Sequence, residues 1–205
     1  MKLPPTERTA LKEWAVMVDA LGCGDIIGIV RKGGIRDQRG GFSMRQNRFV
    51  FYPTRFHQAI EQLSDPLVSR LQRSHAAMAP AGFVRIEYVA QPAISWSVSD
   101  FRRLALARHE LGLSESALLS RFNYREPGAE FIALRVERLL NPVVIPTVRR
   151  YAGCVSWLEL DEDVACDTGD VAPVMSEGEF QERLFALVPL LCDSEIEVVT
   201  SDDWG

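Results

Sequence analysis

Apolar residues recur at helical spacing near the start of the chain. Leu11, Trp14, Ala15, Val18 and Leu21 fall on one stripe, which predicts a first helix over Thr6–Leu21, ended by Gly22 and Gly24. The period then changes. Asp25–Lys32 (DIIGIVRK) is a β-rich run, and Gly33-Gly34 and Gly40-Gly41 read as turns behind it. Phe42–Met44 and Arg48–Tyr52 (RFVFY) predict strands flanking a polar Arg45-Gln46-Asn47 tip, with Pro53 stopping the second. Short helices are expected at His57–Leu63 and Pro66–Ala77. Gly82–Ala90 (GFVRIEYVA) alternates strictly and predicts a strand with one wet face, broken by Pro92.

Asp100 is placed to cap a helix running to about Leu111, and Ser114 to cap another over Glu115–Phe122. Glu130–Leu140 (EFIALRVERLL) alternates imperfectly; a strand is favoured over a helix because prolines 142 and 146 follow a β-branched run. Tyr151–Leu160 predicts a further strand, and Asp161–Asp170 an acidic loop. Ser176-Glu177-Gly178-Glu179 is a capping-box pattern opening a helix to about Leu191, and Glu195–Thr200 is a possible short last strand. Helices and strands are interspersed without regular βαβ alternation. That is an α+β pattern, with a mixed or antiparallel sheet or a small barrel flanked by helices.

The 205 residues are 47% hydrophobic and 25% charged, enough to bury a core without disulfides or metals. No apolar run approaches a membrane span and Met1–Ala10 has no secretory h-region, so a cytoplasmic protein with no membrane partner is expected. The net charge of −5 hides an asymmetry. Residues 1–157 carry 22 basic against 14 acidic side chains, a net of +8. Residues 158–205 carry Arg183 against 14 acidic ones, a net of −13. The expected organisation is a basic α+β core over 1–157 and an acidic segment with one helix over 158–205, packed on the same domain. That segment either folds back on the basic face or docks a basic protein partner.

The basic excess is concentrated in Arg31, Lys32, Arg36, Arg39, Arg45, Arg48 and Arg55. Guanidinium forks suit phosphate, and backbone N–H groups in glycine turns favour anions. The same glycines lack GxGxxG and GxxxxGK[ST], and two hairpin turns are the favoured reading of them. Cys23, Cys154, Cys166 and Cys192 form no CxxC, and His57, His75 and His109 no HExxH or HxH, so no metal or other cofactor is implied. His57 is the one acid/base candidate, though a surface or capping role accounts for it as well; a Cys154/His57 nucleophile pair has no local motif. Among the tryptophans, Trp14 belongs to an apolar stripe. Trp96, in Ile94-Ser95-Trp96-Ser97, reads as a loop residue able to stack on a base.

The segments LKEWAVMVDAL (11–21), IVRKGGIRD (29–37), FVFYPTRFHQ (49–58) and VRRYAGCVSWLEL (148–160) together resemble the bacterial family called domain of unknown function 1802, over roughly residues 10 to 190. That resemblance implies no established activity; some members are linked with restriction-type nuclease domains, which points to restriction–modification. A second likeness, at the level of fold, is to the PUA and ASCH group of small barrels, which bind RNA or modified bases. It rests on the strand ending in Arg-Lys, the central helix pair and ALRVERLLNPVVIP (133–146).

Charge layout and resemblance lead to one expectation, a module recognising nucleic acid or a nucleotide. Arg31, Lys32, Arg36, Arg45 and Arg48 would contact phosphates, and His57, Gln58 and Trp96 would contact bases. The competing expectations are an enzyme on a phosphate-containing substrate with His57 as acid/base, and a scaffold whose basic and acidic parts pair between copies.

Overall fold

The computed structural model describes residues 6–32, 48–55, 59–76, 79–153 and 155–191. Within these, five helices and seven strands form an α+β fold around one mixed sheet, which is open and not closed into a barrel. The strands are β1 (Thr6–Trp14), β2 (Gly28–Arg31), β3 (Phe49–Thr54), β4 (Phe83–Val98), β5 (Ala129–Pro146), β6 (Trp157–Ala165) and β7 (Val171–Pro173). The helices are α1 (Ala15–Gly22), α2 (Asp65–Ala76), α3 (Phe101–Leu106), α4 (Glu115–Phe122) and α5 (Glu177–Leu191). The order across the sheet is β2-β5-β4-β3-β1-β6, and β7 adds to β5. β1 and β3 run parallel; the other pairings are antiparallel.

The predicted first helix divides at Trp14. Thr6–Trp14 is an inner strand held by β3 on one side and β6 on the other, and the helix is only Ala15–Gly22. An inner strand is apolar on both faces, so its apolar residues also satisfy a helical stripe; tertiary pairing decides between the two. Successive residues alternate between two apolar clusters, Ala10 in one and Leu11 in the other, then Phe49 and Phe51 against Val50 and Tyr52 along β3.

Three prolines expected to break or follow strands lie inside them. Pro53 lies inside β3 opposite Glu13. Pro92 lies inside β4, where the register with β5 shifts between Pro92 and Ile94. Pro142 lies in a wide bulge: Tyr88 faces Arg138 while Ile86 faces Val143. Bulges tolerate a residue without an N–H donor, which is why β4 and β5 run much further than their prolines suggest. Leu139, inside that bulge, pairs with β7, and the Leu140 N–H donates to the Asp170 carbonyl at 2.8 Å.

The caps read from sequence form as expected. Asp100 accepts from the Arg102 N–H, and Ser114 from the Ala117 N–H. Ser176 and Glu179 close a reciprocal capping box at the start of α5. The strand expected over Tyr151–Leu160 begins only at Trp157, after a 3-10 turn at Arg149–Tyr151, and β6 runs on to Ala165, into the first half of the segment read as an acidic loop. The strands expected at Phe42–Met44 and Glu195–Thr200 lie outside the described residues. No helix among the described residues is long and apolar enough to cross a membrane.

Candidate functional site

Arg31 closes β2, one edge of the sheet, yet its guanidinium reaches a strand four places away. Its Nη2 donates to the Lys12 carbonyl at 3.0 Å and to Glu13 Oε2 at 2.6 Å. Strong sheet curvature makes this possible. Glu13 follows Leu11 on the inward face of β1 and is only 4% exposed; the Arg31 side chain is 16% exposed.

A second guanidinium joins them. Arg121, in the last turn of α4, donates from Nη1 to the Val30 carbonyl at 3.0 Å and lies 4.9 Å from the centre of the Trp14 ring. Burial pushes the Arg121 pKa down; the Arg31 charge acts in the same direction and Glu13 against it. Lys32 completes the corner. Its Nζ donates to the carbonyls of Phe122 at 2.9 Å, Gly128 at 2.6 Å and Glu126, satisfying the open C-terminal end of α4. Among the described residues, Glu13 supplies the only ion pair to these three cations. Among the described residues the corner thus brings three cations together with one paired carboxylate.

Glu130 stands opposite Arg31 in the β2–β5 register. It is 3% exposed, and its Oε2 has no hydrogen-bond partner among the described residues. Burial raises its pKa to about 7, with a hydrogen bond from Ser95 opposing the shift.

The residues expected to form one basic surface do not all meet. Arg48 pairs with Glu137 at 2.7 Å, at the opposite end of the parallel β1–β3 pair from Glu13. Five residues of strand, about 17 Å, separate those ends. Trp96 is not a loop residue. Because β4 continues past Pro92, its ring is 6% exposed and stacks on Phe131 with centroids 5.6 Å apart, which leaves no face open to a base. Arg36, Arg45, His57 and Gln58 lie outside the described residues, as does Cys154.

Three members of the corner were not read from the sequence. Glu13 becomes visible once Thr6–Trp14 is taken as a strand, because it then shares a face with Leu11. Arg121 lies on the stripe of Ala117, Leu118 and Phe122, a cation on the buried side of a short helix. Glu130 interrupts an inward alternation with Ile132 and Leu134. A charge on an apolar face is the common signal. No three His, Cys, Asp or Glu side chains among the described residues are grouped to hold a metal ion.

The family model described as "Domain of unknown function (DUF1802)" matches residues 10–185. No curated protein and no solved structure matches the chain. The expected likeness to PUA and ASCH barrels finds no support, in keeping with a sheet that stays open. The match spans the strands, the helix pair and most of α5, and the chain belongs to the DUF1802 family.

Proposed function

We propose that the protein is a binding module for a phosphate-bearing ligand, a nucleic acid or a nucleotide, taken up at the corner formed by the ends of β1, β2 and α4. The observation that supports this reading is the convergence of three cations there: Arg31 pairs with Glu13, Arg121 donates to the Val30 carbonyl, and Lys32 to the carbonyls at the end of α4. An ion taken from water into a half-buried site is costly unless compensated, and a phosphate supplies the missing negative charge. Arg121 is the recognising group in this reading, because its guanidinium, though it donates to the Val30 carbonyl, is paired with no carboxylate among the described residues. Arg48 and Trp96 drop out of the contact set for the reasons given above.

The test is fluorescence anisotropy of labelled single-stranded RNA, single-stranded DNA and a nucleoside triphosphate between 50 and 300 mM salt. Affinity should fall as salt rises, because displaced counterions drive polyanion binding. Arg121→Met should weaken binding about tenfold, equivalent to ~1.4 kcal/mol, while the Arg31–Glu13 pair and the far-ultraviolet circular dichroism persist. Absence of binding to all three probes at 50 mM salt, or salt-independent binding that Arg121→Met leaves unchanged, overturns the reading.

A further inference from the structure

β5 offers its outer edge to two short partners and leaves a gap between them. β2 pairs with Glu130–Ala133, ending where the Leu134 N–H donates to the Ile27 carbonyl at 2.8 Å. β7 pairs with Glu137–Leu139, and the Val174 N–H donates to the Val136 carbonyl at 3.0 Å. A cavity of about 300 Å³ opens at the gap. Its walls are apolar: Leu21 from α1, Ile26 before β2, Leu134 and Val136 from β5, Met175 from the strap after β7, and Phe180 from α5. Gly24, in the left-handed region at φ 73°, leaves room for Met175; a Cβ there would stand 3.2 Å from the methionine methyl.

The mouth carries one cation, Arg135, and its surroundings fix it in place. The guanidinium lies 4.7 Å from the centre of the Phe180 ring. Its fork faces Glu177, with Nε to Oε2 at 3.0 Å and Nη2 to Oε1 at 2.6 Å, a two-pronged carboxylate contact. Glu177 is differently placed. Its side chain is 61% exposed in the first turn of α5, and Gln181 Nε2 donates to it at 2.7 Å. The glutamate can swing toward solvent with that glutamine, whereas the arginine is held from behind by the phenylalanine. The other mouth carboxylate, Glu137, is occupied by Arg48.

We infer that this cavity binds a small apolar carboxylic acid, whose chain or ring fills the space under the strap and whose carboxylate takes the place of Glu177 on the Arg135 fork. Glu177 serves as the internal occupant of the same fork when the cavity is empty, which makes it a competitor. The volume is at the low end of small-molecule sites, so compact acids of roughly eight to twelve carbons are the matching size. The site lies toward the start of β2, apart from the cationic corner at its end, and does not depend on the proposal made for that corner.

Isothermal titration of the full chain with octanoate, octanol and octylamine tests this. Octanoate should bind at least tenfold more tightly than either the alcohol or the amine. Glu177→Gln should strengthen octanoate binding several-fold by removing the competitor. Arg135→Met should reduce octanoate to the level of octanol without moving the octanol affinity. Both substitutions are at the surface, and thermal unfolding checks that the fold is kept. Failure of octanoate to bind the Glu177→Gln protein at millimolar concentration overturns the inference, as does equal binding of the three probes or an octanoate affinity that Arg135→Met leaves intact.

Discussion

On one face of the sheet Val50, Val84, Ile86, Ile145, Leu158 and Leu160 form one apolar cluster, to which no α-helix of the described residues contributes. On the other, α1 to α5 lie against the strands, and Leu21, Phe51, Leu67, Leu118 and Leu187 share the interior with Glu13 and Glu130. Polar groups near the strand-only face stay at its rim, where Lys12 Nζ donates to the Tyr151 and Gly153 carbonyls and the Tyr151 hydroxyl binds β6 at Asp161. A desolvated carboxylate costs stability unless it is paired, and an apolar residue of similar size is the more stabilising choice. The strand-only face follows that rule throughout its described residues. The helix-covered face departs from it at the corner where β1, β2 and α4 end, the corner proposed above as a binding site.

The largest effect should come from breaking the corner at Glu13, the carboxylate paired with Arg31. Glu13→Ala leaves Arg31 and Arg121 buried against each other, and urea unfolding should show a loss of about 3–5 kcal/mol. A loss below about 1 kcal/mol would show that the pair does not hold the β2 edge across the sheet. Next comes Glu130. Its pKa is raised on folding, so the folded protein binds the proton more tightly than the unfolded chain. Stability from this group is therefore fully present below about pH 4.5 and lost as pH rises to about 7, a change of about 3 kcal/mol. Glu130→Gln should flatten that slope and leave the variant more stable than the parent at pH 8. Urea midpoints at pH 4.5 and pH 8 measure it, and parallel profiles for the two proteins would contradict the assignment.

The strand-only face was the easier of the two to read in the sequence. GFVRIEYVA and RFVFY alternate or run apolar in the strand manner, and both became strands. What escaped was their extent, because Pro92, Pro142 and the register shifts beside them are settled by the partner strand rather than by local preference. The helix-covered side was harder. LKEWAVMVDAL fits a helix by spacing, and only pairing with β3 and β6 makes its first part a strand. That one reading hid Glu13, and with it the partner of Arg31. The basic cluster is plain as composition, but which cations converge is a matter of sheet curvature: Arg31 and Lys32 meet Arg121, a residue some ninety positions away, while Arg48 lies at the far end of the strands.

The smallest effect belongs to the strand-only face and serves as the reference for the others. Ile86 is fully buried between Val84, Ile145 and Leu160, so Ile86→Val removes one methylene from a dry, uncharged region. Deleting that group should cost about 0.5–1.5 kcal/mol through lost burial and a small residual void. No buried carboxyl lies in its cluster among the described residues, and burial raises the pKa values of Tyr52 and Cys166 there above their already high ordinary values, so the cost should be the same at pH 4.5 and pH 8. Urea unfolding at both values reads this directly. A cost that changes between them would mean that the two faces are coupled through the sheet, and the pH dependence assigned to Glu130 would then belong to the whole molecule rather than to the helix-covered face.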